Sequence, residues 1–125
     1  MRNNLIGLQL KELCFEITND CLLQCCFCST FNDKDKKVSS NYIPKKVFKN
    51  VIEDFCELGG KVLEISGGEP LLHPEIEDLI YIAKEKGLQV RLYTSGVTPL
   101  DPLPLVKKLV EAGLDRIIFN CQGLA

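Results

Sequence analysis

Two hydrophobic periods alternate along this chain, and their order leaves few folds open. Short stretches with apolar residues at every second position have the period of half-buried strands: Leu13, Phe15 and Ile17, then Leu63 and Ile65, Val90 and Leu92, and Ile117 and Phe119. The segments between them carry the helical period, in Val47, Phe48, Val51, Ile52, Phe55 and Leu58, in Ile76, Leu79, Ile80 and Ala83, and in Leu105, Val106, Leu109 and Val110. The boundaries agree. Pro44 suits a first helical turn, and Gly59-Gly60 stops that helix. Glu75, Glu77 and Asp78 lie at the start of the second helix and Lys84 and Lys86 at its end, as the helix dipole prefers, with Gly87 beyond. The predicted strands are Leu8–Thr18, Val62–Ser66, Gln89–Thr94 and Asp115–Asn120, and the helices about Pro44–Leu58, Pro74–Lys86 and Pro102–Ala112. A strand-helix-strand repeat of about 26 residues is that of right-handed βαβ crossovers, so the sheet is predicted to be parallel, an α/β fold of four strands and three helices.

The strand residues between the apolar ones select among parallel folds. With the apolar set facing the helices, the other face carries Glu16, Thr18, Glu64, Ser66, Arg91, Tyr93, Ser95, Arg116, Ile118 and Asn120. A doubly wound sheet would bury that face under helices and need it apolar, whereas the inside of a barrel can hold a paired polar network. The expectation is a partial parallel (β/α) barrel in which Glu64 and Arg91 share the inner face.

The first strand runs into Asn19-Asp20-Cys21-Leu22-Leu23-Gln24-Cys25-Cys26-Phe27-Cys28. Cys21, Cys25 and Cys28 are spaced C-x3-C-x2-C, so one short loop can turn three thiolates toward one point, the ligand type that zinc, Cu(I) and iron-sulfur clusters select. A closed zinc site wants a fourth ligand, for which Cys26, Cys14 and His73 are the candidates; a four-iron cluster on three cysteines leaves one iron open. Seven cysteines, an odd number crowded in one place, suit reduced metal ligands better than a disulfide framework. Cys14 and Cys56 read as small buried hydrophobes, and His73, before Pro74, as a capping or surface residue. Net charge of −2 offers no general attraction to nucleic acid or anionic lipid, and the residues from Met1 to Gly7 lack a signal-peptide core. No run approaches the roughly 20 apolar residues of a membrane span. A cytoplasmic protein of one domain is expected.

Gly67-Gly68-Glu69-Pro70 follows the second strand directly, about forty residues after the cysteines. C-x3-C-x2-C after a first strand, with this motif after the second, resembles the radical S-adenosylmethionine (SAM) superfamily. Phe27 matches the aromatic residue it carries before the third cysteine, and Leu71-Leu72-His73-Pro74 continues the second motif as many members do. The resemblance runs from Leu13 to Gly123. It implies that Cys21, Cys25 and Cys28 hold a [4Fe-4S] cluster whose open iron binds SAM, and that reductive cleavage of SAM yields a 5′-deoxyadenosyl radical for hydrogen abstraction from a peptide or small-molecule substrate. It further implies SAM contacts at Phe27, Gly67, Gly68, Glu69, Pro70 and Asn120, and at Ser95, which stands where many relatives have asparagine. An electron donor such as flavodoxin or ferredoxin is implied as well. Residues 1–125 then form the N-terminal portion of a radical SAM core, with the cluster loop at 19–41 and four of six strands. The chain is expected to be the front part of a longer enzyme, or to be completed by a partner chain. A non-catalytic iron-sulfur or zinc module and an inactive truncated product are the competing expectations.

Overall fold

The computed structural model describes residues 9–19 and 41–120. Its elements are β1 (Glu12–Glu16), α1 (Lys45–Glu57), β2 (Val62–Ser66), a 3-10 turn (Pro70–Leu72), α2 (Ile76–Glu85), β3 (Gln89–Thr94), α3 (Leu103–Glu111) and β4 (Arg116–Phe119). All four strands pair in parallel, in the order β1-β2-β3-β4. That order decides the architecture. Successive right-handed crossovers that always step to the same side put every helix on one face, as in a (β/α) barrel, while a doubly wound sheet reverses direction and covers both faces. Accordingly α1 packs on α2, and α2 on α3.

The helix-covered face holds the core. Leu63, Ile65, Val90 and Leu92 are fully buried against Phe48, Ile52 and Phe55 of α1, Ile76, Leu79, Ile80 and Ala83 of α2, and Leu109 of α3. Removing each such side chain from water contributes about 1.5–3 kcal/mol. The ring of Phe15 stands 5.4 Å from that of Phe48, closing β1 onto α1. The face without helices presents one in-register row across all four strands, Cys14, Glu64, Arg91 and Arg116. Glu64 and Arg91 therefore lie on the same face, with Arg91 Nη1 3.5 Å from Glu64 Oε1, and Tyr93 above them. The hydrogen bond to Glu64, with burial behind it, pushes the Tyr93 phenol above its usual pKa.

Several residues lie elsewhere than periodicity suggests. Val110, read as inward, is exposed, as are Val47 and Leu58, because α1 and α3 bury a narrower stripe than their apolar residues span. Phe119 is also exposed at β4, which among the described residues pairs with β3 alone. Cys14 is exposed rather than buried, and Cys56 is half-buried, so neither fills the core. Burial first, then the charges of Glu64 and Glu16, push the Cys14 thiol above its usual pKa, which disfavours the thiolate a metal would need.

At the amino ends of β3 and β4, Asp115 joins three segments. Its Oδ2 accepts from Lys84 Nζ at 2.7 Å and from the Val90 amide at 2.8 Å, and Lys84 also donates to the Leu88 carbonyl. Partial burial works against the charged carboxylate, but the Lys84 hydrogen bond, the Val90 amide and the Lys84 charge together lower its pKa. A depressed carboxylate pKa stabilises the fold fully above the unfolded value, near 4, and that stabilisation disappears as pH falls through the folded value. Asp115→Asn should therefore melt below the native protein at pH 7, and the gap between the two melting temperatures should narrow as pH falls below about 4.

Candidate functional site

The carboxyl ends of the strands are joined by one continuous series of hydrogen bonds. It starts at β1, where the Gly68 amide donates to the Thr18 carbonyl at 2.8 Å and the Ile17 amide to the Ser66 carbonyl at 3.0 Å, carrying the β1–β2 pairing past the end of both strands. Gly67 is required by this approach. Its φ is +146°, and a Cβ there would lie 2.5 Å from the Thr18 carbonyl oxygen. Thr18 and Asn19 also secure the segment that returns from the cysteine loop. Thr18 Oγ1 and the Asn19 amide both donate to the Asn41 carbonyl, at 2.9 and 3.1 Å, and the Asn41 amide donates back to Asn19 Oδ1 at 2.7 Å. Thr18 pairs with Tyr42 in an antiparallel bridge. A cavity of about 390 Å³ opens here, lined by Glu16, Thr18, Asn19, Asn41 and Tyr42.

Glu69 carries the series on to β3. Its side chain is fully buried and accepts four hydrogen bonds: Oε1 from the Leu71 amide at 3.1 Å and from Thr94 Oγ1, and Oε2 from the Ser95 amide at 2.9 Å and Ser95 Oγ at 2.7 Å. Both hydroxyls are held from behind, Thr94 Oγ1 by the Gly96 amide at 2.9 Å and Ser95 Oγ by the Val97 amide at 3.2 Å, so their protons point at the carboxylate. The Asn120 amide then donates to the Thr94 carbonyl at 2.9 Å, joining β4. His73 is buried in the turn that follows. Its Nε2 donates to the Ile43 carbonyl at 2.7 Å and its Nδ1 accepts from the Glu75 amide at 3.0 Å. It is a cap, as expected, but not a surface one, and with both nitrogens engaged it leaves the list of zinc ligands.

Gly67, Gly68, Glu69, Pro70, Ser95 and Asn120 thus stand together along the strand tips. Cys21, Cys25, Cys28 and Phe27, with Cys26 and Cys121, lie outside the described residues, and among those described no three metal-ligating side chains cluster. The two residues that bracket the cysteine segment, Asn19 and Asn41, are hydrogen-bonded to each other beside Gly68. Sequence reasoning passed over Thr18, Asn41 and Thr94. The available signal was a hydroxyl residue at the end of an apolar strand period, as in Val90, Leu92 and Thr94.

A sequence profile of the radical SAM superfamily matches residues 15–125. The chain belongs to the radical SAM superfamily. It is 34% identical over 113 residues to a PqqA peptide cyclase of Gluconobacter oxydans, covering 90% of this chain and 30% of that protein. It is 31% identical over 113 residues to an AdoMet-dependent heme synthase of Methanosarcina barkeri, covering 90% of this chain and 31% of that one. The chain therefore spans about three-tenths of the length of these relatives. Among solved structures it resembles BtrN in complex with AdoMet and 2-DOIA, at 19% identity and a TM-score of 0.69, over 90% of this chain and 45% of that chain. It also resembles Streptococcus suis SuiB bound to S-adenosylmethionine, at 24% identity and a TM-score of 0.66, over 92% of this chain and 25% of the other. These likenesses show that the four-stranded sheet is a partial radical SAM core. Among the described residues no helix is long and apolar enough to cross a membrane.

The fit of Gly67 against Thr18 has a measurable consequence. Gly67→Ala adds a backbone clash to an unfavourable φ and should cost about 3 kcal/mol in urea unfolding, whereas Gly87→Ala, at φ +80° with open space around it, should cost about 1 kcal/mol.

Proposed function

We propose that this chain is the cluster-bearing front part of a radical SAM enzyme, with Cys21, Cys25 and Cys28 as ligands of a [4Fe-4S] cluster and Gly67, Gly68, Glu69, Pro70, Ser95, Asn120 and Phe27 around SAM. The observation that carries this reading is the pairing of Asn19 with Asn41 beside the Gly68–Thr18 hydrogen bond, which brings both ends of the cysteine segment to the glycine turn. The donor chemistry fits: three thiolates from one segment and a turn of two glycines, where backbone can approach a ligand without side chains between. A cluster held by Cys21, Cys25 and Cys28 would supply the electron for reductive cleavage of SAM to methionine and a 5′-deoxyadenosyl radical.

The chain's own residues bind and orient. The bent backbone at Gly67 and Gly68 offers carbonyls to an ammonium group, and the Asn120 side chain is proposed to meet the carboxylate or ribose of SAM. A peptide is the proposed substrate, supported by the name of the PqqA peptide cyclase relative, and flavodoxin or ferredoxin the proposed class of reductant. Residues beyond the fourth strand, in the same polypeptide or in a partner, would complete the barrel.

Anaerobic reconstitution with iron and sulfide tests the proposal. The expected product contains about four irons and four labile sulfides per chain, loses them in Cys25→Ala, and with dithionite and SAM releases 5′-deoxyadenosine. One zinc per chain and no labile sulfide would reject the cluster. A full cluster without 5′-deoxyadenosine would reject cleavage by this chain alone.

A further inference from the structure

We infer that Glu69 is a positioning residue: its carboxylate, held by Thr94 and Ser95, ties the β2 tip to the β3 tip and so aims the Gly67–Gly68 backbone at the amino group of SAM, without touching SAM itself. The inference rests on the function proposed above and goes beyond it, because it removes the Glu69 side chain from the set of direct contacts and gives Thr94 a role.

The argument is one of capacity. A carboxylate has about four lone-pair positions. Those of Glu69 meet four donors from Leu71, Thr94 and Ser95, and the side chain is fully buried, with no cation among its partners in the described residues. An ammonium group would have to displace one of these donors and leave it unsatisfied in the interior. Ser95 is committed as a donor, since its single hydroxyl proton goes to Glu69, and one of its two lone pairs accepts from Val97. The backbone of Gly67 and Gly68 has no such load. It is fixed on one side by the Thr18 carbonyl, through the Gly68 amide. On the other side the next residue, Glu69, is fixed by β3. The glycine turn is therefore clamped from both neighbouring strands, and half of the clamp is the Glu69 side chain.

Thr94→Val separates this role from direct contact, because it keeps shape and burial, leaves the carboxylate in place and deletes one of its donors. In the reconstituted protein with circular dichroism and iron content unchanged, we expect SAM to bind about tenfold more weakly than to the native protein. Binding of 5′-methylthioadenosine, which lacks the amino and carboxylate groups, should be unchanged. Hydrogen exchange of the segment 67–71, followed by mass spectrometry, should become faster. Ser95→Ala, at a half-exposed tip, should behave in the same way and carries the test if Thr94→Val does not fold. Native SAM affinity in both variants, with loss only in Glu69→Gln, would mean direct contact and overturn the inference. Unchanged exchange at 67–71 would overturn it too. If the native protein itself binds no SAM, the proposed function fails for this chain, and the exchange measurement alone decides whether Glu69 is a clamp.

Discussion

A buried carboxylate with no cation beside it survives only where neutral donors are arranged around it before it arrives. Around Glu69 that arrangement consists of two amides and two hydroxyls, each hydroxyl polarised by a further amide. Hydrogen bonds to a charged acceptor are about twice as strong as neutral ones, and chains of them reinforce one another. In a parallel sheet with helices on one side, the strand tips are the part that the core holds least. The core fixes the middles of β2 and β3 through Leu63, Ile65, Val90 and Leu92. The tips need a polar device of their own, and Glu69 with Thr94 and Ser95 is that device. The close approach of Gly67 to Thr18 and the joining of β4 through Asn120 extend it to the whole mouth.

The two faces of the sheet divide the work. One is apolar and supplies the stability of the fold. The other carries Glu64, Arg91, Arg116 and Tyr93 in positions where water is only partly excluded. A largely buried pair such as Glu64 and Arg91, 3.5 Å apart, contributes little net stability, because the cost of desolvating both charges offsets their attraction. Two guanidinium groups in register beside one carboxylate are worse than neutral for the sheet, since like charges on facing strand positions repel. The same side chains would be costly under helices, which is the physical reason the sheet is built as part of a barrel with an open inner face and not as a doubly wound layer.

Most of this architecture was legible in the sequence, because it depends on hydrophobic period. The alternation in Leu63-Glu64-Ile65 and Val90-Arg91-Leu92 assigns the sides of the sheet, and the helix-strand spacing assigns parallel pairing. What period does not tell is how far the covering layer extends. Val110 and Phe119 have the right spacing to be buried, yet both are exposed, since burial depends on what lies beyond α3 and β4. Cys14 misled for a related reason. A small thiol in a strand looks like core, but its register with Glu64 puts it on the polar face. Glu69 was legible as part of the Gly67-Gly68-Glu69-Pro70 motif and Ser95 as standing where many relatives have asparagine, whereas their pairing with each other is a contact between positions 26 apart that only the register of β2 against β3 creates.

The same dependence on register explains how a cysteine segment of this length can be placed at all. Joining the ends of a flexible loop costs an entropy that grows only with the logarithm of its length. That cost is met here by groups outside the loop. The Thr18 hydroxyl, the Asn19 side chain and the Asn41 backbone close it, and α1 begins three residues after the Tyr42 bridge. The sheet forms the frame, and Thr18 connects it both to Asn41, just before α1, and to the glycine turn. A change at Thr18 would move both halves of the site together, while a change at Glu69 would move only the glycine half.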